Sequence, residues 1–250
     1  NNIQNFSQSI FIKYVTKDLQ TNQSLGSNSW AISGEHTETG APLLANDPHL
    51  SVQLPAIWYE NGLHCYPKNT NCQLDVIGFS FAGSPYVVIG HNNDIAWGFT
   101  NMGPDVQDLF IEKTNPANPN QYEVDGEWRD MDRITEIIEV AGSEPIVIEV
   151  RSTHHGPIVS DRSYPVNLNP EEDQVSFADE ARIELPDNFS VSLSWPALIP
   201  GNTFVGIRDF NYAKNWEEFR DASRLFEVPA QNLLYADVDG NIAYQSPGKL

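Results

Sequence analysis

An α+β fold in which sheet outweighs helix is predicted by three features of the 250-residue sequence. Short runs rich in Ile, Val, Phe, Tyr and Trp recur from Trp30 to Tyr244, the composition of half-buried strands. Clusters of Gly, Pro, Asn and Asp separate them, as at Asn92-Asn93-Asp94 and Asp125-Gly126, where tight turns belong. Helical periodicity is confined to two segments near the ends of the chain. Many strands with few helices predict a layered sheet protein, with part of its helical complement outside this sequence.

In order, residues 1–20 set Ile3, Phe6, Ile10, Phe11, Tyr14, Val15 and Leu19 at three- and four-residue steps, which predicts a helix. Thr21-Asn22-Gln23-Ser24 is a polar linker leading to Gly26-Ser27. Strands over 30–33 and 42–45 flank the turn-like segment 35–40 and predict a hairpin. Further strands are predicted over 57–63, 76–81, 86–89, 95–100 and 108–113. Residues 122–124 and 127–129 form a strand-turn-strand unit about Asp125-Gly126. Ile- and Val-rich runs predict strands over 134–140 and 146–150. The stretch 161–190 is acidic and loop-like, and 204–207 reads as a strand. Residues 215–225 carry Trp216, Phe219, Ala222 and Leu225 or Phe226 on one side, an amphipathic helix. Strands over 232–236 and 241–244 close as a hairpin around Asp237-Val238-Asp239-Gly240.

Composition narrows the function. The formal charge is −20, from 34 acidic and 14 basic residues, which opposes nucleic-acid binding because phosphates require a basic face. No apolar run approaches the roughly 18 residues of a membrane helix, so neither nucleic acid nor a membrane is an expected partner. A hydrophobic content of 40% is ordinary for a globular chain and opposes disorder. The chain opens on Asn1 without a charged-then-apolar leader and stops at Gly248-Lys249-Leu250, just after a strand-like run. It therefore reads as a fragment of a longer precursor.

Cys65 and Cys72 bracket a polar, turn-rich segment. The loop either closes as a disulfide, worth roughly 2–3 kcal/mol by loop-closure entropy, or carries two free thiols. The disulfide would imply an oxidising compartment. A zinc site using His64 with both cysteines lacks a fourth ligand at usual spacing.

Gly26-Ser27 holds the most chemistry in the fewest residues. If that bond is cut, Ser27 becomes a chain start with a hydroxyl and a free α-amine on one residue. An α-amine has a pKa of about 7.7–8.0, so near neutrality it acts as a general base without a histidine. Before the cut, the same hydroxyl can attack the Gly26 carbonyl, which no side chain crowds. The dipeptide alone is also compatible with an ordinary polar loop.

The surrounding segments carry a resemblance. Gly26-Ser27-Asn28-Ser29-Trp30 is similar to the maturation site of the penicillin acylase family of N-terminal-nucleophile hydrolases. Leu44-Ala45-Asn46-Asp47-Pro48-His49, Pro55-Ala56, Gly62-Leu63-His64, Gly90-His91-Asn92 and Ile95-Ala96-Trp97-Gly98 follow at matching spacing. Thr153-His154-His155-Gly156-Pro157 and the segment 235–244 continue the series, so the resemblance covers about residues 25–250.

The resemblance implies the αββα four-layer sandwich of these hydrolases, of which this chain would be a β-rich fragment. Residues 1–26 would be a spacer or the end of a small chain, and 27–250 the N-terminal part of a large chain truncated at its C-terminus. The small chain and the rest of the large chain would be its partners. Ser27 matches the nucleophile, and its freed α-amine the base. His49 matches a position beside the nucleophile that is histidine or glutamine in the family; alone it reads as a hydrogen-bonded turn histidine. Asn101 aligns with the residue whose backbone N–H forms half of the oxyanion hole, the other donor lying beyond Leu250. Leu50, Ile57 and Ile89 align with an acyl pocket that is aromatic in penicillin G acylases, or are strand core residues. Asp105, Gln107 and Asp108 align with a calcium site of part of the family, or are surface residues of an acidic chain. Calcium is the only cofactor implied.

The implied activity is self-cleavage at Gly26-Ser27, then hydrolysis of a small-molecule amide, a β-lactam side chain or an N-acyl homoserine lactone. Uncut, and without the second donor, the fragment itself would be a poor catalyst. The family is usually exported, which implies a periplasmic or secreted protein and agrees with a Cys65–Cys72 disulfide. A non-catalytic, calcium-dependent binding module on the same scaffold is the alternative. A lipid amidase of another N-terminal-nucleophile family would need a cysteine at the new terminus, and neither Cys65 nor Cys72 is so placed. His91, His154 and His155 have no metal-like partners in the sequence and read as structural. The Asp237 segment lacks the glutamate of a calcium loop and reads as a hairpin turn.

Overall fold

The computed structural model describes residues 26–50, 54–161, 163–165, 174–176 and 185–250. The helix expected over 1–20, the linker after it and much of 161–190 lie outside them. The strands are β1 (Gly26–Ile32), β2 (Leu43–His49), β3 (Trp58–His64), β4 (Asp75–Phe81), β5 (Ile89–His91), β6 (Ile95–Asn101), β7 (Asp108–Asn115) and β8 (Asn118–Val124). They continue with β9 (Glu127–Asp130), β10 (Asp132–Ile138), β11 (Ile146–Ser152), β12 (Ser163–Pro165), β13 (Gln174–Ser176) and β14 (Phe189–Ser194). The helices α1 (Thr203–Tyr212) and α2 (Trp216–Ser223) follow, then β15 (Gln231–Asp237) and β16 (Ile242–Gln245). The chain divides into two compact units, one ending at Asp105 and resuming at Ile199, the other spanning Val106–Leu198.

The first unit is built on a six-stranded sheet of order β16-β15-β6-β5-β4-β3, all of whose pairings are antiparallel. Trp97 and Phe99 of β6 and Leu233 and Tyr235 of β15 are buried against Phe210 of α1 and Phe219 of α2. Phe210 stacks on Phe219 at 4.6 Å and meets Phe99 edge-on at 6.2 Å. Each such aromatic contributes about 1.5–3 kcal/mol by burial, so this seam anchors the helices to the sheet. Gly78 and Gly90 face each other across β4 and β5. A Cβ on Gly90 would lie 2.2 Å from the Ile77 carbonyl oxygen, so this crossing requires glycine.

The β1–β2 hairpin lies on the other side of the sheet. Side chains alternate faces along a strand, so Gly98 presents its Cα opposite to Trp97 and Phe99. A Cβ there would sit 2.8 Å from the Asn46 Cβ. Helices, sheet and hairpin thus make three layers in this unit, an αββ order that the predicted sandwich contains.

In the second unit, a four-stranded sheet of order β14-β7-β8-β9 accompanies the β10–β11 hairpin. Asp125 and Gly126, both at positive φ, form the β8–β9 turn as the sequence predicts. Glu112 of β7 is buried, and its Oε1 accepts from Thr153 Oγ1 (2.7 Å), Ser192 Oγ (2.7 Å) and His155 Nδ1 (2.8 Å). His155 stacks on Phe110 at 3.8 Å, and His154 bonds the Tyr122 hydroxyl, so both histidines are structural as expected.

Several elements differ from expectation. Residues 204–207 are not a strand but the start of α1. Gly206, Ile207, Phe210 and Asn211 are its buried positions, a helical face that a four-residue window cannot distinguish from strand alternation. Within the stretch 161–190 that reads as acidic loop, Ser163–Pro165 pairs with Gln174–Ser176, and Phe189–Ser194, which begins at its end, alternates apolar and polar residues and pairs with β7. The strand expected over 86–89 is shifted to Ile89–His91.

Candidate active site

Ser27 lies in β1, and the β1–β2 register pairs Gly26 with His49, Ser27 with Pro48 and Ser29 with Asn46. The Gly26–Ser27 bond is therefore opposite the end of β2. A Cβ on Gly26 would meet nothing within 4 Å, so open space adjoins the Gly26 Cα. Half-buried positions alternate with exposed ones along β1. Ser27 and Ser29 share the inward face with Asn46 and Pro48. His49 belongs to the other face, where its Nδ1 lies 3.1 Å from Asp47 Oδ2. The structure brings the His49 main chain beside the candidate nucleophile and turns the imidazole away.

One side chain hydrogen-bonds the hairpin to β6. Asn46 Nδ2 donates to the Phe99 carbonyl at 2.7 Å, and the Phe99 N–H donates to Asn46 Oδ1 at 3.2 Å. Asn46 Nδ2 also reaches the Asn28 carbonyl at 3.4 Å. The sequence reading assigns no role to Asn46 or Gly98, although both fall in its landmark segments. Their functions arise from a contact between residues far apart in sequence, which no local signal encodes.

Asn101 ends β6, opposite Gln231, whose Nε2 donates to Asn101 Oδ1 at 3.3 Å. The direction of its backbone follows from its neighbours. The Asn92 N–H donates to the Ile95 carbonyl at 3.0 Å, so Ile95 turns its peptide groups toward β5. The Met102 N–H donates to the Ala230 carbonyl at 3.2 Å, so Met102 turns toward the β15 side. Antiparallel strands alternate these directions residue by residue, which gives Trp97, Phe99 and Asn101 to the β5 edge. The β5 ladder stops at Trp97. Asn46 takes both peptide groups of Phe99, and the Asn101 N–H is the next donor along that edge.

Of the predicted acyl pocket, Leu50 is exposed just after β2, Ile57 is half-buried just before β3, and Ile89 is buried on the sheet face opposite Trp97, since Trp97 is paired with Gly90. Asp105, Gln107 and Asp108 are exposed. Their oxygens are the hard donors that calcium prefers, but it takes about six to eight of them, and these three residues fit only as part of such a shell. Among the described residues, no group of three or more His, Cys, Asp or Glu gathers to hold a metal.

Cys65 and Cys72 are joined in a disulfide, which resolves the alternatives the sequence leaves open. Beside it, Asp75 accepts from Lys68, His64 and, at 3.2 Å, Asn93. The Lys68 bond first and the His64 and Asn93 bonds after it hold the Asp75 carboxyl well below the usual carboxylate range. Asp237 is a turn residue as expected. Its Oδ1 accepts from the Asp239 and Asn241 N–H groups at 3.0 and 2.9 Å, closing β15–β16.

A family model described as penicillin amidase matches residues 3–250. An acyl-homoserine lactone acylase of Pseudomonas aeruginosa is 29% identical over 228 residues, covering 89% of this chain and 24% of the relative. A penicillin G acylase of Escherichia coli is 29% identical over 225 residues, covering 89% of this chain and 23% of the relative. A solved structure of a thermostable penicillin G acylase from Alcaligenes faecalis matches with a TM-score of 0.66 and 28% identity, over 88% of this chain and 35% of that one. The chain spans about a quarter of the length of these curated relatives.

Proposed function

This chain belongs to the penicillin amidase family, and from that premise we propose that it is part of an acylase that hydrolyses a small-molecule amide through an acyl-enzyme on Ser27. The observation that carries the reading is the Ser27 hairpin itself. It is pinned by Asn46 to the β6 edge on which the Asn101 N–H is the next donor. In the uncut chain, Ser27 Oγ attacks the Gly26 carbonyl and the C–N bond breaks, which frees the Ser27 amine and leaves an ester; water then opens the ester, releasing the Gly26 carboxylate and the Ser27 hydroxyl. In the cut protein that amine takes the hydroxyl proton while Oγ attacks the substrate carbonyl. The Asn101 N–H donates to the developing oxyanion, a contribution worth about 10²–10³ in rate. Collapse expels the amine product, and water releases the acid.

The relatives are named for two substrates, penicillin G and acyl-homoserine lactones. Leu50, Ile57 and Ile89 are aliphatic, which favours an aliphatic acyl chain over a phenylacetyl group. Calcium at Asp105, Gln107 and Asp108 would serve structure by neutralising charge, with no step of the reaction passing through it. The Cys65–Cys72 disulfide supports a periplasmic or secreted location.

Intact-mass measurement of the full-length protein tests the reading. A new chain beginning at Ser27 is expected, together with hydrolysis of acyl amides. The Ser27→Ala variant should stay joined and inactive; if it is cut at the same bond and still hydrolyses amides, the Ser27 mechanism is wrong.

A further inference from the structure

We infer that Asn46 is a positioning residue for this reaction, setting the Ser27 hydroxyl against the Asn101 amide. The inference rests on the function proposed above. Asn46 is joined to both partners through short paths. On one side it is opposite Ser29, two residues from Ser27 on the same inward face of the hairpin. On the other side it bonds both peptide groups of Phe99, two residues from Asn101 on the same strand edge. Two residues of extended strand span about 6.5–7 Å, so each reacting group is one short step from a single fixed point.

The geometry needs an asparagine. The side chain must donate through Nδ2 and accept through Oδ1 at once, because it replaces the strand that β5 does not supply. Aspartate has the same shape but would set a second oxygen against the Phe99 carbonyl. Alanine leaves both Phe99 groups unpaired. Gly98 completes the fit, because any side chain there would displace Asn46, whose Cγ lies 2.9 Å from the ideal Cβ position. Asn46 need not touch the substrate. It acts by fixing where Ser27 stands, and a displacement of about 1 Å in such a constellation lowers turnover on the order of 100-fold.

The test compares full-length wild type, Asn46→Asp and Gly98→Ala, with hexanoyl and phenylacetyl anilides as probes. Thermal unfolding, the fraction cut at Gly26–Ser27 and separate kcat and KM per mole of cut chain are measured. Both variants should unfold within a few degrees of wild type and be cut more slowly. Their kcat should fall about 100-fold with KM nearly unchanged. A purely structural role would instead lower the Tm while leaving kcat per folded, cut molecule intact. If Asn46→Asp is cut at the wild-type rate and keeps its kcat, the inference is overturned while the proposed function stands. If wild type itself is neither cut nor active, both fall together.

Discussion

Glu112 is a buried carboxylate with three donors on one oxygen, and a buried charge is tolerated only when it is paired or hydrogen-bonded in this way. Burial pushes its carboxyl up. The bonds from Thr153, His155 and Ser192 outweigh that and hold it below its ordinary value. A group whose folded pKa is depressed stabilises the fold fully above its unfolded pKa, about 4.3 for glutamate, and the contribution is lost as pH falls through the folded value. Glu112→Gln should therefore lower stability by about 1–3 kcal/mol at pH 7, and the gap to wild type should narrow below about pH 4. Urea unfolding at both pH values checks this; a gap of constant size would mean that charge is not what the site uses. No sequence pattern announces this network, because its donors stand 41, 43 and 80 residues from Glu112. The role proposed for Ser27 is legible for the opposite reason, since candidate nucleophile, base and scissile bond all fit within one dipeptide. The face on which His49 lies was not legible, because it depends on the register of two strands.

Elements were legible where a local signal and a tertiary contact agree. Helix α2 has both. Trp216 and Phe219 turn to the core, and Asn215 Oδ1 accepts from the Glu218 N–H at 2.9 Å. The Lys214 N–H in turn donates to the Glu218 carboxylate, also at 2.9 Å. Removing this cap with Asn215→Ala should cost about 1 kcal/mol and lower the Tm by about 2–4 °C, with hydrolysis by the cut protein unchanged. Helix α1 reads as a strand although Asn202, a favoured cap type, precedes it, because its helical face extends over Gly206, Ile207, Phe210 and Asn211, beyond the four-residue run. Within four residues, an apolar run resembles a strand. Strand β14 is not legible because only Phe189 and Ser190 fall inside the acidic stretch 161–190 and the rest of it lies beyond that boundary. The Gly78–Gly90 crossing has no local signal either, yet it decides whether β4 and β5 can pair. Gly90→Ala should be far more damaging than the cap variant. The added methyl must move the Ile77 backbone at about 1–3 kcal/mol or more, which thermal unfolding of the two variants side by side would show.

At the scale of the whole chain, charge decides what pattern and packing do not. The excess of 34 acidic over 14 basic residues gives the formal charge of −20. The ion pairs that offset it are mainly surface pairs, such as Arg224–Asp221 and Lys249–Glu227, worth about 0–1 kcal/mol each. Salt weakens those pairs slightly and screens the repulsion among the excess acids more, because like charges act over many distances at once. Raising ionic strength should therefore raise the Tm. On the function proposed above, the same field would separate the two substrate classes. A penicillin carries a carboxylate and is repelled by an acidic protein, whereas an N-acyl homoserine lactone is uncharged and is not. In the full-length, cut enzyme, KM for the carboxylate-bearing amide should fall as salt rises from about 10 to 150 mM, where the screening length shrinks from about 30 to 8 Å. KM for the lactone should stay level over that range. Steady-state kinetics on both substrates across the series decides the point. Equal salt responses would mean that the acidic surface does not face the approaching substrate, and that specificity is set by contacts around Leu50 and Ile57 rather than by the field of the molecule.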